Sequence, residues 1–310
     1  MKRYLLSLII LSTNLLLAEE NIYQKSLHIL AVQKQCSVKC KNPYVDTFNK
    51  ITPYYFKNID SKFSISRIQK FDDVRIKTIY ESIRATAFYS FLISKDESAI
   101  NKAVLLFDLL YKRKLTTIKD ASDLHLQLIK YGKFKESEAF RAKYLKDNQA
   151  LPAIENIEME SESELQYFSL VQDGENKSLK INNFKISKKP QIIIVGGCHF
   201  ADDAINELVN YKSISSIIKT HGMVITPPDE FDLNKIKQMN EKFPEYEPHP
   251  VFKAYSWHNQ KIDLYKTPNF YFIKNSKIVF SFSGAKKILP QFCQGLIAIG
   301  FKDVESCNSI

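Results

Sequence analysis

Residues 189–208, KPQIIIVGGCHFADDAINEL, contain the pattern that decides the fold of the C-terminal part of this 310-residue chain. Ile192 to Val195 form a run of β-branched apolar residues, which is typical of a buried strand. Two glycines and Cys198 follow, and the apolar spacing after them is that of an amphipathic helix. The stretch therefore predicts a strand at 191–195, a turn, and a helix at 201–212 with a cysteine near its start.

A second stretch, residues 265–284 (YKTPNFYFIKNSKIVFSFSG), predicts a hairpin. Thr267 and Pro268 precede two apolar runs separated by a polar turn, so we expect strands at 269–274 and 277–282. The other elements expected here are a strand at 222–226 and helices at 232–242 and 285–299. Such an alternation of strands and helices indicates α/β architecture.

The order of these elements, with a cysteine at a helix start and Thr-Pro ahead of the hairpin, resembles the thioredoxin-like superfamily over residues 165–302. The strand-like segments LQYFSLV and LKINNFKI and the insertion at 227–266 resemble its periplasmic members of the peroxiredoxin and cytochrome-maturation type. The expected fold class is α plus α/β, with N-terminal helical hairpins followed by a thioredoxin-like α/β domain at 165–310.

The resemblance implies a site with Cys198, His199 and Pro268 in catalytic positions. Pro268 would be the family's cis-proline, whereas an ordinary trans proline ahead of an edge strand is the alternative. Thr267, Gly197 and Phe200 would contact the substrate, because the backbone before that proline pairs with an incoming peptide in the family. The activity implied is thiol-disulfide exchange with cysteine-containing client proteins.

Three departures from the family pattern affect this activity. Ala201 stands where the resolving cysteine would be, so a mixed disulfide at Cys198 could not be released by the usual intramolecular attack. Gly197 replaces the tryptophan that commonly precedes the first cysteine, and the strand QIIIVGG has no acid. Two functions therefore remain open: single-cysteine exchange, and a non-catalytic envelope scaffold that keeps only peptide binding. A peroxidase function is disfavoured by Val195, where a threonine or serine would be needed.

The insertion contributes further candidates, His249, Trp257 and His258. These side chains could line a rim above Cys198, but aromatic packing is the simpler interpretation.

Five cysteines are present, and pairing between sequence neighbours would join Cys36 to Cys40 and Cys293 to Cys307. Cys198 would then be a single thiol, which in an exported protein is a candidate reactive group. The Cys36-x-x-x-Cys40 spacing suits a structural staple or half a metal site, and no nearby histidine pair supports zinc. No metal and no cofactor are expected, since phosphate-binding and dinucleotide-binding glycine motifs are also missing.

The N-terminus has the pattern of a signal peptide over residues 1–18. Lys2 and Arg3 precede an apolar run that ends at Leu17, and Ala18 is a small residue suited to cleavage. An uncleaved N-terminal membrane anchor is the alternative. Either form predicts an exported protein, in the bacterial periplasm.

Residues 19–150 predict helices, with Pro43 and Pro53 bounding a looser connection. Ala103 and Ala139 stand 36 residues apart in matching helices, which resembles the tetratricopeptide repeat, although plain antiparallel packing gives the same apolar stripes. Helical pairs of this kind bind partners or support a neighbouring domain. The acidic segment 151–164 is the expected interdomain linker.

The formal net charge of +10 is spread over the chain without an arginine-rich run or a nucleic-acid motif. Nucleic acid is therefore not an expected partner. A lysine-rich solvated surface explains the charge most simply, and association with an anionic membrane surface stays open. The partners expected are protein clients or other envelope proteins, and the oligomeric state cannot be read from the sequence.

Overall fold

In a computed structural model the chain divides into two units, Met1–Ala150 and Leu151–Ile310. The structure describes residues 2–91, 93–94, 96–145, 153–155, 165–173, 176–228, 237–238, 240–241 and 246–308. An N-terminal helical region is thus followed by a mixed sheet with helices. Within the described residues, no helix is both long and apolar enough to cross a bilayer.

The described residues of the first unit include seven α-helices and one short 3-10 helix, Asp60–Lys62. The α-helices are α1 (Lys2–Lys39), α2 (Pro43–Asn58), α3 (Ile65–Ile68), α4 (Asp73–Ser90), α5 (Ser98–Lys112), α6 (Ile118–Lys130) and α7 (Phe134–Tyr144). Helix α1 packs against both α2 and α4, and α4 also packs against α5. Helices α6 and α7 pack against each other. Their shared core includes Tyr55, Phe107 and Phe140, and Phe107 lies 5.0 Å from Phe140 between ring centroids.

The segment expected to be a loose connection between Pro43 and Pro53 is instead helix α2, so that prediction was wrong. Asn42 caps the helix by accepting a hydrogen bond from the Val45 N–H, and Pro43 at the first position needs no N–H partner. Pro53 removes one internal hydrogen bond. Burial of Ile51 and Tyr55 on one face offsets that loss.

The tetratricopeptide-like repeat is not confirmed. Ala103 is fully buried in the helical core, whereas Ala139, its counterpart 36 residues later, is exposed. Ser137 is the buried small residue of α7. The two alanines therefore do not play the same packing role.

In the second unit, the part of the chain that the structure describes includes eight strands of one sheet and four α-helices. The strands are β1 (Ala153–Glu155), β2 (Leu165–Asp173), β3 (Asn176–Phe184), β4 (Gln191–Val195), β5 (Gly222–Thr226), β6 (His249–Phe252), β7 (Asn269–Lys274) and β8 (Lys277–Ser283). The helices are α8 (His199–Val209), α9 (Lys212–His221), α10 (Ala254–Asn259) and α11 (Ile288–Ile299). The sheet order is β1-β3-β2-β6-β5-β4-β7-β8.

The central strand β4 pairs parallel with β5 and antiparallel with β7, and β7 pairs antiparallel with β8. Strand β4, the hairpin and the closing helix therefore lie in the predicted order. The helix expected at 232–242 falls mostly outside the described residues, and α9 was not predicted. Strand β1 lies inside the expected linker 151–164 and pairs with β3, so that segment contributes to the sheet.

One face of this sheet and three helices share a single apolar core. Ile192 and Ile194 point into it from β4, Phe270 and Phe272 from β7, and α8, α9 and α11 cover them. Helix α11 approaches β7 most closely at Gly295, where an added Cβ would overlap the Phe272 ring. This packing fixes α8, and hence its N-terminus, against the sheet.

Candidate functional site

The turn between β4 and α8 is shaped by its two glycines. The Gly196 N–H donates to the Ile225 carbonyl at 2.8 Å, which holds the end of β4 against β5. Gly197 has a φ of +110°, a conformation that other residues rarely adopt. The chain then turns so that Cys198, in extended conformation, becomes the residue that immediately precedes α8.

Strand register brings the second stretch of sequence to the same edge. Val195 pairs with Asn269, so the residues after β4 and the residues before β7 lie side by side. The Thr267–Pro268 peptide bond is cis, as the resemblance implied. Two segments separated by 69 residues thus meet at Cys198 and Thr267.

The Cys198 sulfur lies against both polar groups of Thr267. The Thr267 hydroxyl donates to Sγ at 3.1 Å, and Sγ lies 3.6 Å from the Thr267 carbonyl oxygen. The hydroxyl can donate to a thiol or to a thiolate, whereas the carbonyl oxygen can only accept from the thiol. Cys198 is half-buried, so its sulfur is partly open to solvent.

The N-terminus of α8 provides further polar groups. The Cys198 carbonyl accepts from the N–H groups of Ala201 and Asp202, at 2.9 and 3.1 Å. No side chain caps this helix in the described structure, and its first N–H groups and its dipole favour negative charge nearby. Asp202 in the first turn adds a carboxyl that opposes a thiolate.

His199 and Phe200 are exposed on the first turn of α8. Their rings pack on each other, with centroids 3.9 Å apart. In the described structure no hydrogen bond joins His199 to Cys198. The two aromatic rings therefore form a surface beside the thiol rather than a contact with the sulfur.

Ala201 is fully buried in the core beneath the site. Since alanine has no group to exchange, the chain itself supplies one sulfur at this site.

A hydrogen-bond network that the sequence did not suggest holds the loop with Thr267. Asn269 is buried at the start of β7, where its amide donates to the Asp263 carbonyl at 3.3 Å and accepts from the Ser283 hydroxyl at 2.8 Å. The Asp263 N–H donates to the Tyr271 hydroxyl at 2.7 Å. Burial raises the pKa of Tyr271 to about 12, so this hydroxyl stays neutral. A polar residue opening an otherwise apolar strand was the available signal.

The aromatic residues of the insertion lie elsewhere. Trp257 is fully buried, and its indole N–H donates to the Gln166 carbonyl at 2.9 Å. The His249 ring packs on Tyr167 with centroids 4.7 Å apart, and His258 is exposed. None of the three contacts the Cys198 sulfur in the described structure, so aromatic packing describes Trp257 and His249.

The other four cysteines form disulfides in the pairs expected from sequence order. Cys36 joins Cys40 at the end of α1, with Cα atoms 4.6 Å apart. Cys293 on α11 joins Cys307, with Cα atoms 5.6 Å apart. Cys198 is the free cysteine. Within the described ranges, no group of three or more histidine, cysteine or acidic side chains is arranged to hold a metal ion.

Comparisons with known proteins add little to this geometry. No protein-family model matches the chain, and no curated protein matches its sequence. A crystal structure of a thioredoxin-like protein from Bacteroides caccae is similar over 84% of this chain and 94% of its own, at 13% identity and a TM-score of 0.30. That score is too low for the likeness to support a statement about fold or activity.

Proposed function

We propose that this chain is an exported thioredoxin-like protein that exchanges thiols and disulfides with client proteins through Cys198. The observation that supports this most is the free cysteine at the N-terminus of α8, facing a cis-proline segment whose Thr267 hydroxyl donates to its sulfur. A cysteine at a helix start is well placed for nucleophilic chemistry, because the thiolate is the reactive form and N–H donors stabilise it. The strand order β5-β4-β7-β8 supports the thioredoxin-like assignment.

The proposed reaction begins with the Cys198 thiolate, which attacks one sulfur of a client disulfide. The client S–S bond breaks, its other sulfur leaves as a thiolate, and a mixed disulfide joins Cys198 to the client. Because position 201 is alanine, the second thiol must come from the client or from a low-molecular-weight thiol. That thiol attacks the client sulfur of the mixed disulfide, the bond to Cys198 breaks, and Cys198 leaves as the thiolate. If the thiol belongs to the client, the product is a rearranged client disulfide without net oxidation or reduction. If it is a low-molecular-weight thiol, the new S–S bond joins it to the client, and a second such thiol would complete reduction of the client.

Export is proposed from the N-terminal pattern and from the two disulfides. Lys2, Arg3 and the apolar run after them match a signal sequence. Disulfides persist in oxidising compartments such as the periplasm. Mass spectrometry of the intact protein isolated from the envelope should give the mass of a chain that starts at Glu19.

The same protein preparation tests the exchange. Incubation with a disulfide-containing peptide, followed by mass spectrometry without reductant, should give one peptide adduct per chain at Cys198 and none in Cys198→Ser. Thr267→Val should slow adduct formation about fivefold, since one hydrogen bond to the sulfur of about 1 kcal/mol is lost. Thr220→Val, an exposed threonine on α9, is the matched control and should react at the wild-type rate.

A second function, non-catalytic partner binding, is favoured by one observation. Ala201 removes the resolving sulfur, and both polar groups of Thr267 already engage the Cys198 thiol. If the folded wild-type protein forms no adduct while Cys198→Ser binds envelope partners as wild type does, the exchange proposal fails and the scaffold function replaces it.

A further inference from the structure

A cavity in the helical unit has an apolar floor. Its volume is about 400 Å³, and it opens between the α1 residues Asn21 and Ile22 and the segment that follows α2. Ile22, Ile68 and Phe71 are buried at its base. Small-molecule sites in proteins occupy about 300–1,000 Å³, so this cavity can enclose a small ligand.

The rim of this cavity is basic. Lys62 and Arg67 line it, and both side chains are exposed. Lys25, one helical turn after Asn21, carries a further positive charge that interacts unfavourably with that of Lys62. Partial burial and then this neighbour lower the pKa of Lys25. The two basic residues that line the cavity, Lys62 and Arg67, carry like charges, and an anion bound beside them would offset their repulsion.

The nearby carboxylates of the described structure are committed to other partners. Asp60 is bound by Lys102 and Ser98. Asp72 pairs with Arg75, and Asp73 with Arg113. Among the described side chains, no ion pair joins a carboxylate to Lys25, Lys62 or Arg67.

Hydroxyl groups complete the polar side of the cavity. Ser61 and Ser64 line it next to the basic residues, and the Ser64 hydroxyl lies 3.0 Å from that of Ser66. Hydroxyls and cations together are donors for a carboxylate or phosphate oxygen. The apolar floor beneath them would be covered by a hydrocarbon group attached to that anion.

From this combination we propose that the cavity binds a small amphipathic anion, with its hydrocarbon part on Ile22, Ile68 and Phe71 and its charged head at Lys62 and Arg67. The site is independent of Cys198 and of the proposed exchange reaction. Charge complementarity selects the head group, and the buried floor selects the apolar part.

Three probes separate the contribution of the charged head group from that of the hydrocarbon part. Octanoate has both, octanol has the same hydrocarbon length without the charge, and acetate has the carboxylate with a single methyl group. Titration of the purified full chain, followed by calorimetry or by NMR of the residues around the cavity, should show octanoate binding at least tenfold more tightly than either of the others. Lys62→Gln and Arg67→Gln should each weaken octanoate about fivefold, as expected for one partly exposed charge contact.

Lys57→Gln on α2 removes the same charge from an exposed lysine that does not line the cavity, and octanoate affinity should be unchanged. Circular dichroism confirms that each variant is folded. Equal binding of octanol and octanoate would overturn the proposal, as would equal losses in Lys57→Gln and Lys62→Gln. Absence of octanoate binding at millimolar concentration would overturn it as well.

Discussion

The two units begin their helices in different ways. In the helical unit, Asn42, Asp72 and Thr117 each accept a hydrogen bond from the first turn of the helix that follows, whereas α3, α5 and α7 have no side-chain cap in the described structure. In the sheet unit, none of α8, α9, α10 and α11 has a side-chain cap in the described structure. Side-chain caps close in sequence thus fix where several helices of the first unit begin. In the second unit, packing against the sheet fixes where the helices begin. The uncapped start of α8 is where Cys198 lies.

If packing holds the helices of the sheet unit, truncation of its core should have the largest effect. Phe272 is fully buried between Phe280 and Phe292, with ring centroids 5.8 and 5.1 Å away. Phe272→Ala should lower the free energy of unfolding by about 3–5 kcal/mol, because burial is lost and a cavity is left. Urea unfolding measures this change. Val279→Ala on the exposed face of β8 is the control, and a loss below 1 kcal/mol for Phe272→Ala would contradict the packing argument.

A smaller and pH-dependent effect is expected from one histidine in each unit, the buried His125 and the half-buried His249. Burial lowers the pKa of each to about 4, below the value of about 6.5 in an unfolded chain. Between these values the unfolded chain binds a proton that the folded chain does not, so stability is complete above pH 6.5 and falls as the pH decreases toward 4. At pH 5 each histidine should cost about 2 kcal/mol relative to pH 7.

The check is urea unfolding at pH 7 and pH 5. His125→Gln and His249→Gln should each remove part of the acid-induced loss, whereas His258→Gln, at an exposed position, should remove none. An identical acid response in the wild type and all three variants would show that protonation of His125 and His249 does not distinguish the folded from the unfolded state. A response in His249→Gln alone would assign the acid sensitivity to the sheet unit.

The smallest change in the free energy of unfolding is expected from substitutions at the residues that precede α6 and α8. The Thr117 hydroxyl accepts from the Asp120 N–H at 3.1 Å, and the Asp120 carboxylate accepts from the Thr117 N–H at 2.9 Å. Thr117→Ala should therefore lower the free energy of unfolding by about 1 kcal/mol. Cys198→Ser should act in the opposite direction and raise it by up to about 1 kcal/mol, because serine is a preferred residue before a helix. Unfolding curves showing that both substitutions destabilise would remove the contrast between the two helix starts.

Much of the sheet unit followed from local sequence. The β-branched run before Gly196 and the two apolar runs on either side of a polar turn after Pro268 predicted strands β4, β7 and β8, whose bounds agree with the structure within one residue. The position of Cys198 at a helix start followed from the same pattern. The contact between Cys198 and Thr267 could be expected only from the resemblance. The two residues are 69 positions apart, and neither segment by itself specifies how β4 and β7 pair.

Other elements depend on interactions that local sequence does not show. Helix α9, KSISSIIKTH, has serines and β-branched residues that favour other structures, yet Ile214 and Ile218 are buried against the sheet. Helix α2 continues through Pro53 because its buried face compensates for one missing hydrogen bond. The Asn269–Tyr271–Asp263 network crosses a loop, and Asn269 at the start of β7 signals a polar contact there without indicating its partners.

The pairing of four cysteines leaves the chain with a single thiol at a defined place. A maleimide fluorophore or nitroxide spin label can therefore be attached at Cys198 of the unmodified protein, without removing other cysteines first. Such a label would stand at the start of α8 beside the exposed ring of Phe200. Its emission or line shape would report occupancy of that surface in real time, with the native sequence elsewhere intact.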